Sequence, residues 1–143
     1  MKLFKNIIIP LILGTIVGLL SGLGNNYNNF VKPDIMPPNI VFPIAWSILY
    51  TLMGISNYLI EKEGQKSKYY IPQLIVNLIW PILFFVFKVY FISILWIIIL
   101  IALVILMILE FFKINKIAAF LQIPYILWLI FALVLSIQVY LVN

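Results

Sequence analysis

The sequence predicts an all-α integral membrane protein, a bundle of five transmembrane helices, and three observations support this fold class. Of the 143 residues, 66% are hydrophobic and only 9% are charged, and the mean hydropathy is +1.22. The apolar residues form runs longer than one compact core could bury from water. Lysines flank these runs, as they flank membrane spans. We therefore expect a single five-span membrane domain over residues 1–143.

The first span is predicted at about residues 7–24. Its length suits a membrane crossing of about 17 to 25 residues. Because Lys2 and Lys5 precede it, a secretory signal peptide is the alternative, but residues 25–27 offer no small-residue cleavage pattern. Three glycines, Gly14, Gly18 and Gly22, recur every four residues and therefore line one helix face. Such a face lets a neighbouring helix pack closely, within the chain or in a dimer.

The other spans are predicted at about residues 41–60, 70–87, 90–109 and 117–142. A single helix over residues 71–109 would be roughly 58 Å long, twice the thickness of the bilayer core. The chain must therefore reverse near Lys88, which makes the third and fourth spans antiparallel neighbours. Pro81 and Pro124 are expected to bend the third and fifth spans.

The lysines predict the orientation of these spans. With five spans, the segments on the side of the N-terminus carry seven lysines and those on the opposite side carry two. The positive-inside rule places the lysine-rich side in the cytoplasm. We expect the membrane to be that of a bacterial cell, with the N-terminus inside and the C-terminus outside.

Several kinds of chemistry are excluded by composition. The sequence contains no cysteine and no histidine, which removes thiolate nucleophiles, the commonest metal ligand and the commonest proton shuttle. The four acidic residues, Asp34, Glu61, Glu63 and Glu110, fall at or beyond predicted span ends. We therefore expect no metal site, no required cofactor, no conventional catalytic constellation and no ion-coupled pump.

Aromatic and amide side chains in the spans indicate a pocket instead. Trp46 and Tyr50 are four residues apart and Tyr125 and Trp128 are three apart, so each pair shares a helix face. Such aromatic walls suit a flat apolar ligand. The predicted pocket residues are Trp46, Tyr50, Asn77, Trp80, Tyr125, Trp128 and Ala132. The alternative is that the rings only pack helix on helix, and that the amides only bridge helices.

A loop stiffened by Pro33, Pro37 and Pro38 precedes the second span and is predicted to form the lid of this pocket. Three segments, the first of which contains this loop, resemble the TspO/MBR family, which comprises tryptophan-rich sensory proteins and translocator proteins, or peripheral benzodiazepine receptors. They are the loop with the second span, from Lys32 to Tyr58, the VNLIWPILFF segment of the third span and the IPYILWLIFA segment of the fifth.

The resemblance implies a five-helix bundle that commonly dimerises and whose pocket opens toward the first loop. It implies binding of porphyrins, such as protoporphyrin IX and haem, or of other hydrophobic small molecules. Trp46 and Trp128 match positions linked with light-dependent porphyrin breakdown, and Tyr50, Asn77 and Ala132 match pocket-lining positions. Because the chain lacks histidine and cysteine, metal-free porphyrin is the easier ligand.

The predicted function is thus a membrane receptor or translocator for porphyrin-type tetrapyrroles, with hydrophobic ligand and lipid as partners and no nucleic acid. One departure from the family concerns the lid, since Ile35 and Ile40 stand where the family commonly has tryptophans. Two other functions stay open. One is a light-dependent porphyrin-degrading enzyme, and the other is a membrane scaffold that assembles through the glycine face.

Overall fold

All regular secondary structure is helical in the part of the chain that the computed structural model describes, which is residues 2–20, 31–38 and 40–143. The helices are α1 (Lys2–Leu20), α2 (Val41–Lys62), α3 (Tyr70–Pro81), α4 (Tyr90–Ile114), α5 (Lys116–Phe120) and α6 (Ile123–Val142), and a π-helical turn (Ile82–Val86) continues α3. In these ranges, four stretches are long and apolar enough to cross a membrane, namely α1, α2, α4 and α5 with α6, while α3 with its π-helical turn is shorter. The predicted fold class is confirmed.

Helix α1 begins at Lys2, five residues before the predicted start of the first span. The additional residues make contacts with α2 that the local sequence does not reveal. The Asn6 side chain donates to Glu61 Oε2 at 3.2 Å and accepts from Asn57 Nδ2 at 2.7 Å. These bonds hold the first turns of α1 against the end of α2. Residues 21–24 of the predicted span, including Gly22, lie outside the described residues.

Glycines allow α1 and α2 to pack closely as antiparallel helices. A Cβ atom at Gly54 would overlap the backbone carbonyl of Asn6, and one at Gly14 would overlap the ring of Tyr50. Because a glycine lacks Cβ, each of these contacts brings one helix against the other at short range. On α2 the second contact, at Tyr50, is near the middle of the helix and the first, at Gly54, is one turn further on, so together they set the line along which α1 lies.

The irregularity expected at Pro81 takes the form of the π-helical turn that follows it. Proline has no N–H to donate within a helix, and the wider π-helical turn changes which side chains face inward. Phe84 and Phe85 are consecutive in sequence, yet both are buried. The Trp80 ring stacks on Phe84 with ring centroids 4.9 Å apart. Residues on α3 and in the turn thus supply an aromatic surface to the bundle.

The chain reverses at Lys88, as the length of the apolar run predicts. Lys88 has a φ of 54°, in the left-handed region, and it lies in the short connection between the π-helical turn and α4. A left-handed residue turns the backbone sharply within a few residues. Helices α3 and α4 therefore pack as antiparallel neighbours.

The predicted fifth span is divided into α5 and α6 at Leu121 and Gln122. The break comes before Pro124, which lies in the first turn of α6, where a missing N–H costs nothing. Gln122 is fully buried at the break and donates from Nε2 to Ser56 Oγ at 2.7 Å and to the Leu52 carbonyl at 3.2 Å. The break is thus anchored to α2.

The buried side chains form two neighbouring clusters. One extends over the middle and the lysine-rich end of the bundle and includes Met53, Met107 and Phe111. The other contains Phe42, Trp80, Phe84 and Phe85, which we call the aromatic core, together with aliphatic residues of α4 and α6. Phe42 is at the start of α2, Trp80 is at the end of α3, and Phe84 and Phe85 are in the π-helical turn. The aromatic core therefore lies at the end of the bundle next to the loop between α1 and α2.

Candidate functional site: a cavity between α1, α2 and α3

A cavity of about 310 Å³ lies between α1, α2 and α3. Its walls come from Leu11 to Leu19 on α1, from Phe42 to Tyr50 on α2 and from Trp80 to Phe85 across the end of α3. All three segments are at the end of the bundle where the loop between α1 and α2 lies, so the cavity occupies that half of the bundle. Its volume is at the lower end of the range of roughly 300 to 1,000 Å³ for small-molecule pockets.

Part of the cavity wall is aromatic. Trp46 and Tyr50, one turn apart on α2, stack with ring centroids 5.7 Å apart and planes inclined by 27°. Trp80 faces the cavity from α3, and Phe85 follows in the π-helical turn, where its ring meets Phe42 edge to face at 6.1 Å. Of the predicted pocket residues, Trp46, Tyr50 and Trp80 therefore line the cavity.

Trp128 and Ala132 lie behind this wall. The Trp128 ring contacts Trp46 edge to face at 6.1 Å and Phe42 at 6.1 Å, but it does not line the cavity. Ala132 is buried one turn further along α6, where its carbonyl accepts a hydrogen bond from Ser136 Oγ at 2.7 Å. These two residues support the lining residues from α6 and do not form the cavity surface.

A chain of hydrogen bonds leads from the cavity wall into the bundle. Tyr50 donates its hydroxyl to Asn77 Oδ1 at 2.6 Å, and Asn77 Nδ2 donates to the Tyr125 hydroxyl at 2.7 Å. Tyr125 in turn donates to Gln73 Oε1 at 2.8 Å. All four side chains are buried, so this polar network ties α2, α3 and α6 together beneath the cavity. Asn77 and Tyr125 belong to the network and not to the lining.

Gln73 is the member of the network that the sequence analysis missed. It lies four residues before Asn77 on α3 and is fully buried, so both amides face the same side of that helix. The sequence contained a signal for it, namely a second amide side chain four residues from Asn77 in an otherwise apolar span. Its Nε2 also approaches Met53 Sδ at 3.9 Å, a weak contact on the α2 side.

The predicted lid prolines lie outside the cavity lining. Pro33 accepts a turn hydrogen bond from Met36 N at 3.0 Å, and Pro38 accepts one from Val41 N at 3.0 Å. The Met36 side chain packs against the buried cluster that contains the aromatic core. The described part of the loop thus contacts this cluster through Met36, while residues 21–30 and Asn39 lie outside the described residues.

The loop is also tied to α6. Val31 N donates to Asn143 Oδ1 at 3.0 Å, and Asn143 Nδ2 donates back to the Val31 carbonyl at 2.8 Å. Ile35 and Ile40, which stand at the positions of the family's lid tryptophans, are 40% and 64% exposed. Neither contributes to the cavity surface.

The cavity lining is uncharged over the residues that the structure describes. The hydroxyls of Thr15 and Ser47 are turned to their own helices, where they donate to the Leu11 carbonyl at 2.7 Å and the Pro43 carbonyl at 2.6 Å. The indole nitrogen of Trp80 is buried and has no hydrogen-bond partner among the described residues. In the same ranges, no three His, Cys, Asp or Glu side chains gather as a metal site would require. The walls therefore favour a neutral, largely apolar surface of a ligand.

Sequence comparisons show which proteins this chain is similar to. The model of the TspO/MBR family matches residues 6–141. The tryptophan-rich protein TspO of Archaeoglobus fulgidus is 32% identical over 122 residues, which cover 82% of this chain and 79% of that protein. The tryptophan-rich sensory protein of Cereibacter sphaeroides is 31% identical over 105 residues, which cover 71% of this chain and 66% of the relative, slightly less than two thirds. The human translocator protein is 29% identical over 118 residues, which cover 77% of this chain and 70% of that protein.

Proposed function

The chain belongs to the TspO/MBR family and is an integral membrane protein, and from this premise we propose that it is a receptor or translocator for a porphyrin-type tetrapyrrole. The ligand would be protoporphyrin IX, haem or another flat hydrophobic molecule, bound in the cavity between α1, α2 and α3. The observation that carries the proposal is the aromatic wall of Trp46, Tyr50 and Trp80 in an uncharged cavity.

The physical fit is that of flat ring to flat ring. A macrocycle placed against Trp46 and Tyr50 would gain offset stacking beyond the burial of its apolar area. Because the described lining has no basic side chain, the carboxylates of a porphyrin would point out of the cavity. Thr15, Leu19, Pro43 and Ser47 are lining residues that are also exposed, so the cavity is open between α1 and α2 and a larger ligand extends beyond it. Metal-free porphyrin suits this chain better than haem, since it has neither histidine nor cysteine.

Tryptophan fluorescence tests the proposal directly. Purified protein in detergent is titrated with protoporphyrin IX, and saturable quenching is expected because Trp46 and Trp80 line the cavity. Trp46→Phe should weaken binding by about 3- to 10-fold, because the benzene ring covers less of the macrocycle than the indole does. The matched control is Trp96→Phe, since Trp96 lies outside the lining and donates to the Val76 carbonyl at 2.8 Å. Quenching of the unaltered protein that does not saturate would contradict the proposal.

A specific contact also favours a second function, light-dependent oxidation of bound porphyrin by dioxygen. Trp46 in the wall meets Trp128 at 6.1 Å and Tyr125 at 6.4 Å, so oxidisable rings lead away from the cavity. Protoporphyrin is illuminated in air with the protein, without it, and with the double variant Trp46→Phe and Trp128→Phe. A product spectrum that is distinct only with the unaltered protein supports the enzyme, and identical spectra in all three samples rule it out.

We also propose that the N-terminus faces the cytoplasm of a bacterial cell and the C-terminus faces outward. The support is the distribution of lysines, because the loop that contains Lys62, Lys66 and Lys68 is on the same side as the N-terminus. In that orientation the cavity lies in the outer half of the bundle.

A further inference from the structure

Two glycines on the same face of α1 have different surroundings. A Cβ atom at Gly14 would lie 2.8 Å from Cδ2 and 3.0 Å from Cζ of Tyr50, which is closer than real Cβ atoms pack. At Gly18, one turn later, no atom of the described residues lies within 4 Å of the Cβ position, apart from the chain neighbours of Gly18 and the backbone of its own helix. Gly14 thus serves contact between helices, whereas the other described helices leave the space beside Gly18 open.

The open space at Gly18 belongs to the cavity. Leu11, Gly14, Thr15 and Gly18 follow the i, i+3, i+4, i+7 spacing of one helix face, and all four line the cavity. A side chain added at position 18 on this face would enter the cavity and would meet no side chain of the described residues within 4 Å of its Cβ atom. Because the cavity holds only about 310 Å³, even a small side chain would occupy a noticeable part of it.

We propose that Gly18 determines the size of the ligand that the cavity admits. The missing side chain makes the α1 wall recede opposite the aromatic walls of α2 and α3, which leaves more of the cavity to a wide macrocycle. A smaller flat ligand does not need that room. The inference rests on the proposed function of the cavity, and it assigns to Gly18 a role in ligand selection in place of helix packing.

The test compares two flat ligands of different width on the full chain. Protoporphyrin IX and acridine, which has three fused rings, are titrated against the unaltered protein, Gly18→Ala and Gly18→Leu. Protoporphyrin affinity should fall about threefold with alanine and more than about tenfold with leucine, since added bulk in a packed site is poorly tolerated. Acridine affinity should change less than about twofold, because the narrower ligand can bind beside the new side chain.

Ile16→Phe is the matched control for added bulk on α1. Ile16 is 47% exposed and lies outside the cavity lining, so both affinities should be unchanged. Thermal melting of each variant shows whether it folds. If Gly18→Leu does not fold, Gly18→Ala decides the matter, because alanine is a better helix former than glycine and meets open space.

The outcomes separate this inference from the proposed function. If the unaltered protein binds no protoporphyrin, the proposed function fails and the role of Gly18 fails with it. If the unaltered protein binds protoporphyrin and the Gly18 variants bind it equally well, only the role of Gly18 is wrong. Equal losses for both ligands would also overturn the inference, because the position would then not discriminate by size.

Discussion

Tyr50 belongs both to the cavity wall and to the polar network beneath it. Its ring stacks on Trp46 and fills the space that a side chain at Gly14 would need, while its hydroxyl donates to Asn77. The position of the ring therefore depends on α1, α2 and α3 together. A change in the network should be felt in the cavity, because the same side chain takes part in both.

We predict that Tyr50→Phe lowers the stability of the fold while keeping the ring. The substitution removes the donor to Asn77 Oδ1, whose buried oxygen then lacks that bond, at a cost of about 1 kcal/mol in the free energy of unfolding. The melting temperature in detergent should fall by a few degrees. Tyr140→Phe is the control, because Tyr140 is 45% exposed and should tolerate the loss of its hydroxyl. Equal melting temperatures for both variants would show that the bond contributes nothing.

Gly54 is the second residue at which we predict a large effect. In Gly54→Ala the new Cβ would overlap the Asn6 carbonyl and lie 2.6 Å from Ile7 Cα, and these backbone atoms can move only if α1 moves. Overpacking of this kind costs about 1 to 3 kcal/mol, so the melting temperature should fall clearly. The matched variant is Gly18→Ala, whose added methyl group meets no side chain of the described residues and which should be as stable as the unaltered protein or up to about 1 kcal/mol more stable. The opposite ranking would place the close contact elsewhere on α1.

At the scale of elements, α1 is the helix most exposed to its surroundings. Only Pro10 is fully buried, although the helix is apolar along most of its length. Its attachment to α2 depends on the inner face. There the Asn6 side chain bonds to α2, Gly14 lies against a ring of α2, and Gly54 of α2 lies against the backbone of α1. The cavity lies beside this attachment, so small movements of α1 would change its width.

The hairpin between α3 and α4 gives a prediction about a single backbone conformation. Lys88 has a φ of 54°, which costs a residue other than glycine roughly 1 kcal/mol. Lys88→Gly should therefore be at least as stable as the unaltered protein, whereas Lys88→Pro should be strongly destabilised because proline holds φ near about −65°. Thermal melting in detergent measures both, and Lys88→Ala controls for loss of the lysine side chain. A stable proline variant would contradict the left-handed turn.

At the scale of the whole molecule, hydrogen bonds fix the loop at the lysine-rich end of the bundle. The acidic residues near the lysine-rich end take part in the fold there: Glu110 on α4 accepts hydrogen bonds from Ser67 Oγ and from Lys68 N, the latter at 3.0 Å. Ser67 in turn accepts from the N–H groups of Tyr69 and Tyr70 at the start of α3, each at 3.1 Å. The loop between α2 and α3 is thus held to α4, away from the cavity.

Cysteine labelling tests the proposed orientation cleanly, because the chain contains no cysteine. Asp34→Cys and Lys66→Cys each introduce one thiol at an exposed position, one before the start of α2 and one after its end. A membrane-impermeant maleimide should label Asp34→Cys in intact cells and Lys66→Cys only after permeabilisation. The unaltered protein should remain unlabelled in both conditions. The reverse pattern would place the N-terminus outside.

Much of the fold could be predicted because its signals are local in the sequence. The length of an apolar run can be compared with the thickness of a bilayer, and this comparison predicts both the helices and the reversal at Lys88. The break in the fifth span before Pro124 could not be predicted in this way. It depends on Gln122 bonding to Ser56, a residue 66 positions away, and no local pattern predicts such a pairing.

The candidate site was predictable by residue type but not by arrangement. Spacing showed that Trp46 and Tyr50 share a face, and likewise Tyr125 and Trp128, but it could not show which pair faces a cavity. The structure places the first pair in the wall and the second pair behind it. It also separates Gly14 from Gly18, which the repeat of four residues treats as equivalent.

The sequence by itself determined that this protein is a helical membrane bundle of the TspO/MBR type, since hydropathy, lysine placement and motif spacing are properties of the chain in one dimension. Only the tertiary structure decided where the cavity lies, which aromatic rings form its wall, and that Gln73 joins the network below it. The physical reason is that these features depend on the distance and rotation between helices. Both are set by contacts between remote residues, such as Asn77 with Tyr125 and Gly54 with Asn6.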